Sequence, residues 1–333
     1  MTPIAIISGL SAAANDRLIS VSVVDNAGIE SDTASIKLDD RDYKLEWPSK
    51  GLEITIQLGY KETGTVNMGI FEIDKITYSD AANTMSISAR ALMTHNNEIK
   101  KPHTREWHEK TIGEMVGTIA KDNGFTAEVD PEVAGIKYSH LDQTEESDIN
   151  FVSRLAETHD CYAKLQDKKL LFKPREQVLG SVKASRDHYL NAGSGIIATA
   201  LSGVSIDSRS KFKGVKTYWE DRDSKKRTYE TVGTEPFYEE RGALMSQDKA
   251  KLRAAAKLKQ LLRGTGKIGS LSMPGSSDIR AEMNLNLEDF RPEVCQLSPW
   301  IITKATHTFD NSGYKTTVSA EVKAVEVKKT SKK

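Results

Sequence analysis

Alternating hydrophobic and polar residues dominate the first 90 positions of the chain. The clearest run is Leu52–Tyr60, and Leu18–Val24 shows a similar alternation with many β-branched side chains. A period of two places successive side chains on opposite faces of a strand. Turn residues such as Asp25–Gly28 separate these runs. Five or more short strands divided by turns predict a barrel or a sandwich.

The pattern changes to a helical period near residue 97. Thr111–Glu114 has the sequence of a capping box, and a second helix is predicted to begin at Ser147–Asp148. Cys161–Leu165 and Lys169–Phe172 then predict a hairpin around Gln166-Asp167-Lys168. This segment reads as a small α+β unit.

The β pattern returns beyond Pro174, with Gly193-Ser194-Gly195 as a predicted flexible connection. A helix is predicted from Ser246 through Arg263, ended by Gly264. The strands expected in this region are Val204–Asp207, Gly214–Trp219, Thr228–Val232, Lys267–Met273, Ala281–Leu287, Trp300–His307 and Lys315–Val322.

Two hairpins far apart in the chain resemble each other. Ile73–Ser79 is followed by a turn and Ser88-Ala89, and Ile302–Thr308 is followed by a turn and Ser319-Ala320. This similarity suggests a duplicated β-domain, with chance similarity between two hairpins as the competing explanation.

The predicted architecture is mainly β with an α+β insertion. It comprises a β-barrel domain over residues 1–97, a small helical α+β domain over 98–180 and a second β-barrel over 181–325. The second barrel carries the helix at about 246–263. Residues 326–333 form a basic tail that we expect to be flexible.

Charge balance narrows the possible partners. The chain contains 47 Lys and Arg residues and 47 Asp and Glu residues, so its formal net charge is zero. Without a positive excess to neutralise phosphates, sequence-specific nucleic acid is not an expected partner. A neutral net charge also protects poorly against self-association, which favours an oligomer.

Membrane and export signals are weak. The early apolar run, Ile4–Leu10, is far shorter than the ~20 residues that span a bilayer, and a basic n-region is lacking. Two cysteines, Cys161 and Cys295, cannot form a disulfide framework. We therefore expect synthesis in the cytoplasm and no integral membrane association.

Several motifs suggest chemistry but fit structural roles better. Gly264–Gly269 matches GxGxxG, yet it follows a predicted helix and opens a strand, the reverse of a dinucleotide site. His103–Glu109 lacks metal-ligand spacing and reads as a solvated connector. Adjacent residues point in different directions, so His159-Asp160-Cys161 does not predict a triad. Glu145, Glu146 and Asp148 fit the start of a helix.

The charged run Asp221–Arg227 is predicted to be a solvated loop, with contact to a charged partner as the alternative. No catalytic, cofactor-binding or metal-binding residue is assigned from the sequence, and no cofactor is expected. We therefore do not expect an enzyme.

Several stretches resemble the late control protein D family of contractile-tailed bacteriophages, which is related to the N-terminal part of VgrG proteins. The most specific string is His140–Asp148, which contains Asp-Gln-Thr-x-Glu-Ser-Asp. The other similar segments are Arg17–Val21, Val24–Gly28, Ser31-Asp32, Leu38–Asp40, Pro48–Gly51, Leu58–Tyr60, Trp107–Gly113, Ile119-Ala120, Asn123–Phe125, Phe151, Arg154–Ala156, Phe290–Pro292, Trp300, His307 and Gly313-Tyr314.

This resemblance implies a structural baseplate hub whose two barrels resemble the tail-tube fold. Three copies would present six such barrels, matching a sixfold tube on one side and a threefold spike on the other. The implied partners are the chain itself as a homotrimer, the tail-tube protein, a separate central spike protein and other baseplate or tape-measure proteins. The implied location is the virion tail baseplate.

Two alternatives remain open at this stage. The first is the hub of a phage-derived contractile bacteriocin or injection device. The second, from another functional class, is a tail-associated cell-wall hydrolase, which would need a pair of functional carboxylates or a metal site.

Overall fold

The computed structural model describes residues 1–91, 97–166, 169–175, 180–186, 196–206, 212–220, 226–244, 246–263 and 265–323. Its contacts divide the chain into two compact units. The sheet unit comprises Met1–His95, Val178–Val204 and Ile268–Ala320, and the mixed unit comprises Asn96–Gln177, Ser205–Lys267 and Glu321–Lys333. Among the described residues, no helix combines the length and apolar composition needed to cross a membrane.

The elements are mainly strands. In chain order they begin with β1 Pro3–Ser8, α1 Ala12–Asp16, β2 Leu18–Asn26, β3 Thr33–Asp39, β4 Glu53–Tyr60, β5 Gly64–Ser79, β6 Thr84–Ala91, a 3₁₀ turn Asn97–Lys100, β7 Pro102–Thr111, α2 Ile112–Asp122, β8 Thr126–Val129, α3 Pro131–Ala134, β9 Lys137–Ser147, α4 Asp148–Thr158, β10 Cys161–Gln166 and β11 Lys169–Pro174. They continue with β12 Ser181–Ser185, β13 Ile196–Ile197, β14 Ala200–Ile206, β15 Gly214–Glu220, β16 Arg227–Gly233, β17 Phe237–Leu244, α5 Gln247–Arg263, β18 Gly266–Pro274, β19 Asn284–Glu288, α6 Pro292–Cys295, β20 Trp300–Asp310 and β21 Gly313–Val322.

The sheet unit contains two sets of six strands with the same spatial order. The first half is β1-β4-β5-β6-β3-β2, and the second half is β12-β19-β20-β21-β18-β14. In both, the first strand in sequence lies beside the fourth, and the second lies beside the third. The outer pair differs in direction, because β1 is antiparallel to β4 whereas β12 is parallel to β19.

One antiparallel pairing joins the two halves. Residues 20–26 of β2 lie opposite residues 304–310 of β20, so all these strands belong to one sheet. Among the described residues, this sheet is open and does not close into a barrel. The expectation of a mainly β chain is confirmed, whereas barrel closure is not observed.

Apolar side chains on one face of each strand build the core of the sheet unit. Alternation in β4 buries Ile54, Ile56 and Leu58, as the sequence predicts. Phe71 on β5 and Trp300 on β20 are the bulkiest fully buried side chains of their halves. Each aromatic residue of this size buries about 150–250 Å² of surface.

The mixed unit contains a long β7–β9 pair and two small sheets, β10-β11-β8 and β16-β15-β17. The predicted hairpin is confirmed as β10 and β11, with Cys161 opposite Pro174; residues 167 and 168 of its turn lie outside the described residues. Helix α5 packs Ala254 and Leu258 against Val215 of β15.

Both predicted helix caps are confirmed. The Glu114 amide donates to Thr111 Oγ1 while Glu114 Oε2 accepts from the Thr111 amide, a complete capping box at the start of α2. Ser147 Oγ accepts from the Asn150 amide at the start of α4. These bonds satisfy amide groups that have no partner inside the helix.

The predicted connector at His103–Glu109 is wrong, because these residues lie on β7 and pair with β9. Charged residues on both faces obscure the alternation that would mark this segment as a strand.

The predicted second domain, 181–325, is shared between the units: β15, β16, β17 and α5 lie in the mixed unit. The Gly193–Gly195 connection, Gly264 and the basic tail beyond Lys323 lie outside the described residues.

Candidate assembly site

The string with the most specific family resemblance builds a buried polar network in the mixed unit. Asp148 is fully buried at the first position of α4. Its carboxylate accepts hydrogen bonds from Gln143 Nε2 at 2.8 Å and Asn123 Nδ2 at 2.9 Å, and Arg105 lies 3.3 Å away. A buried carboxylate is stable only when such donors replace its water. This carboxylate therefore connects α2, α4, β7 and β9.

Neighbouring residues of the same string are also structural. Arg154 on α4 forms an ion pair with Glu146 at 2.8 Å and donates to the carbonyl of Asp142 at 2.9 Å. Its guanidinium also lies 5.2 Å from the ring centre of Phe151. The sequence interpretation of Glu145, Glu146 and Asp148 as a helix start is only partly right, because Glu145 and Glu146 belong to β9.

A second buried network lies in the sheet unit. His307 is fully buried, and its Nε2 lies 3.1 Å from the carbonyl of Ile279, so Nε2 carries the proton. Nδ1 is then an acceptor, with the Tyr314 hydroxyl at 3.1 Å and the Thr316 hydroxyl at 3.2 Å. Burial lowers the pKa of His307 to about 4, with Arg280 adding to the effect. The imidazole is therefore neutral at pH 7 and serves as a cross-strand bridge.

The segment His159-Asp160-Cys161 does not form a catalytic triad. Desolvation by burial raises the pKa of Cys161 to about 12, so its thiol stays protonated at pH 7. Asp160 forms a buried ion pair with Arg263 of α5, and His159 Nε2 lies 2.6 Å from the hydroxyl of Tyr138. Desolvation also lowers the pKa of His159 to about 4. The three side chains thus have separate structural roles: His159 hydrogen-bonds to Tyr138, Asp160 pairs with Arg263, and Cys161 is buried in the core.

The histidines near β7 form a pair across the strands. His108 and His140 are directly opposite in the β7–β9 register, with their Nδ1 atoms 3.2 Å apart. Across the described part of the chain, no group of three or more His, Cys, Asp or Glu side chains is arranged to hold a metal ion.

The glycine motif behaves as its order in the sequence suggests. Gly266–Gly269 lies on β18, directly after α5, so no helix begins at these glycines to bind a phosphate.

Residues 221–225 of the charged run lie outside the described residues, and Arg227 forms an ion pair with Glu220 at 2.6 Å.

Open strand edges are the features of the sheet unit that bear on assembly. Residues 74–79 of β5 pair with β6 on one side, and no strand among the described residues occupies their other side. Strand β14 pairs with β18 on one side, and no described strand pairs with its other side. Unpaired backbone groups on an edge are ready to bind another strand. Sequence patterns could not identify them, because alternation marks faces and not edges.

The comparisons with known proteins agree with a role in assembly. The family described as phage tail baseplate hub (GPD) matches residues 84–313. The chain belongs to this family. The probable baseplate hub protein of Escherichia phage 186 is 29% identical over 94% of this chain and 90% of its own length. The suspected relationship to late control protein D is thereby confirmed.

Solved structures show the same fold at low identity. The 43 kDa tail protein of prophage MuSo2 from Shewanella oneidensis superimposes with a TM-score of 0.69 at 10% identity, covering 96% of this chain and 98% of that protein. An E. coli type VI secretion component, described as similar to the T4 tail proteins gp27 and gp5, has a TM-score of 0.59 at 12% identity. It is covered over 77% of its length, and this chain over 97%.

Membership of the hub family gives the chain its general role. It is a baseplate hub protein of a phage tail and a component of the virion tail. The family is structural, and the networks around Asp148 and His307 fit that role because they fix strands and helices in place.

Proposed function

We propose that this hub is a non-enzymatic, trimeric adaptor between the sixfold tail tube and a threefold central spike. Each of the two halves of the sheet unit would act as one tube-like module, so that three copies would offer six modules to the tube. The observation that carries the proposal is the shared strand order of the two halves. A duplicated module is what a threefold ring needs to match a sixfold partner.

The wider partners follow from this arrangement. The tube protein would bind one side of the ring and the spike protein the other, with other baseplate or tape-measure proteins as further contacts. The mixed unit would supply a separate surface, for which no partner is proposed. The protein would be made in the cytoplasm of the bacterial host and incorporated into the baseplate there.

The test of the trimer is a mass measurement by light scattering on the full chain, alone and co-expressed with the spike protein of the same tail. The proposal expects a mass of three chains, at least when the spike is present. A mass of one chain in both conditions, or a stable twofold dimer in the complex, would overturn it.

The non-enzymatic part has its own test. The purified full chain is incubated with purified peptidoglycan, and soluble fragments are measured against a buffer control. No release above the control is expected. Release that increases with protein concentration would favour the cell-wall hydrolase instead.

A further inference from the structure

The two halves of the sheet unit correspond residue by residue at their central hairpins. Ile73 on β5 donates its amide to the carbonyl of Leu52 and accepts from the amide of Gly51. Ile302 on β20 makes the same two bonds, with the carbonyl of Met283 and the amide of Glu282. Position 73 therefore corresponds to position 302, and residues 73–79 of β5 can be compared with residues 302–308 of β20.

Rows of serines fix the correspondence for the outer strands. The rows are Ser22, Ser35 and Ser88 in the first half and Ser202, Ser270 and Ser319 in the second. In the first row, each serine lies directly opposite the next across neighbouring strands. In the second, Ser202 Oγ lies 2.9 Å from Ser270 Oγ, and Ser319 Oγ donates to the carbonyl of Gly269 at 2.7 Å. Position 22 of β2 thus corresponds to position 202 of β14.

The two halves differ in whether a neighbouring strand covers the edge of the long central strand. In the chain, β2 covers the edge of β20, with Ser22 opposite Thr308 and Val24 opposite Thr306. The corresponding strands are β14 and β5, and neither has a partner on that edge among the described residues. The β2–β20 junction is therefore formed once within the chain. The strands that correspond to its two members, β14 and the last part of β5, each have a side on which no described strand pairs.

We infer that β14 of one copy pairs antiparallel with residues 75–79 of β5 in the next copy, repeating the β2–β20 junction between subunits. Transferring the register places Ser202 opposite Ser79, Val204 opposite Thr77 and Ile206 opposite Lys75. Two of the three pairs resemble the internal junction, where Ser22 faces Thr308 and Val24 faces Thr306. At the third pair, Ile206 stands where the internal junction has Asn26, which faces Lys304.

Exposure on both edges supports the inferred contact. Thr77 and Ser79 are exposed on β5, and Ser202 is exposed on β14. Ile206 has 51% of its surface exposed, compared with 46% for Ile70 and 38% for Ile6 in other strands. Pairing would satisfy the backbone groups of both edges and cover this side chain. The contact is head-to-tail, so a closed ring leaves neither of these two edges free.

The inference rests on the proposed trimer, and disulfide cross-linking tests it separately. Two full-length chains, one with Ser202→Cys and one with Ser79→Cys, are co-expressed in a Cys295→Ser background and oxidised. Residues directly opposite in an antiparallel pair have Cα atoms about 4.5–5.5 Å apart, within the range of a disulfide. We expect a mixed covalent dimer containing one chain of each kind, identified by mass spectrometry of the linked peptide.

Two matched controls make the result specific. Ser22→Cys with Thr308→Cys in one chain should form an internal disulfide, because these residues are opposite in the structure. Ser202→Cys with Tyr78→Cys on separate chains should not cross-link, because a shift of one residue turns the side chain to the other face. Melting temperatures equal to that of the parent chain show that the cysteine variants are folded.

Each outcome bears on a different claim. A mass of three chains without a Ser202–Ser79 link overturns the strand pairing and leaves the trimeric hub intact. Cross-linking of Ser202→Cys chains with each other also overturns the pairing, because it indicates a twofold contact. A single-chain mass in every condition, with no mixed dimer, overturns both.

Discussion

The two halves of the sheet unit share one strand order but differ in what covers their edges. In the second half, the long strand β20 receives β19 at its start and β2 along the rest of its edge. In the first half, β5 receives β4 at its start and nothing thereafter among the described residues. Two modules with one strand order thus need not have equal surroundings, and under the inferred pairing the position without a neighbour is where the next copy binds.

The largest expected effect tests whether the two halves have equivalent cores. Phe71 and Trp300 occupy corresponding positions and are both fully buried. Phe71→Ala and Trp300→Ala should each lower the free energy of unfolding by about 3–5 kcal/mol, since each leaves a large cavity. Urea denaturation of each variant measures this. A loss below about 1 kcal/mol at one position only would show that the halves are not packed alike.

A second prediction uses the difference between His307 and the corresponding Tyr78. The pKa of His307 is about 4 in the folded protein and about 6.5 when unfolded. Between these values the unfolded chain binds more protons, so stability decreases as the pH falls from 6.5 to about 4. The loss should reach roughly 3 kcal/mol, from about 1.4 kcal/mol per pKa unit.

Urea denaturation at several pH values measures this slope. His307→Gln should flatten it, because the glutamine amide does not titrate, whereas Tyr78→Phe should leave it unchanged. Equal slopes in the parent chain and the His307→Gln variant would contradict the assignment of a neutral, buried imidazole. His159, whose pKa is also about 4, contributes a slope of its own that both variants retain.

The smallest effect concerns the mixed unit, which lies outside the comparison of the halves. Thr111→Ala and Ser147→Ala each remove an N-cap and should cost about 0.5–2 kcal/mol of stability. Assembly should be unchanged, because these side chains bond within their own helices. Thermal melts and light scattering measure the two quantities. Loss of assembly without loss of thermal stability would show that these residues contact a partner.

Local features of the fold could be predicted from the sequence, because their signals lie within a few residues. The capping box at Thr111, the alternation around Ile54 and Ile56 and the similarity of Ile73–Ser79 to Ile302–Thr308 are of this kind. Features that depend on distant pairing could not. Strand β7 was missed because its charged residues obscure the alternation that marks a strand. No local pattern predicts that β2 pairs with β20 or that Asp148 accepts a hydrogen bond from Asn123.

In the candidate site too, local features could be predicted from the sequence and features built from distant residues could not. The absence of a phosphate-binding turn at Gly266 follows from the local order of helix and strand. The role of the Asp-Gln-Thr string could be recognised only as a resemblance, because its donors come from α2, β7 and β9. Open edges depend on the whole strand order, which no single segment encodes.

The pairing of β2 with β20 also has a consequence for synthesis on the ribosome. Asn26 lies opposite Lys304, so the partner of β2 is translated about 280 residues later. At a translation rate of about 5–20 residues per second, roughly 15–60 s pass between the synthesis of β2 and the synthesis of β20. During that time the nascent first half exposes the edges of both β2 and β5. Because β5 corresponds to β20, the β2 edge of one chain could pair with the β5 edge of another as β2 pairs with β20 in the finished protein. Neighbouring nascent chains on one messenger are therefore at risk of premature pairing until each completes its own β20.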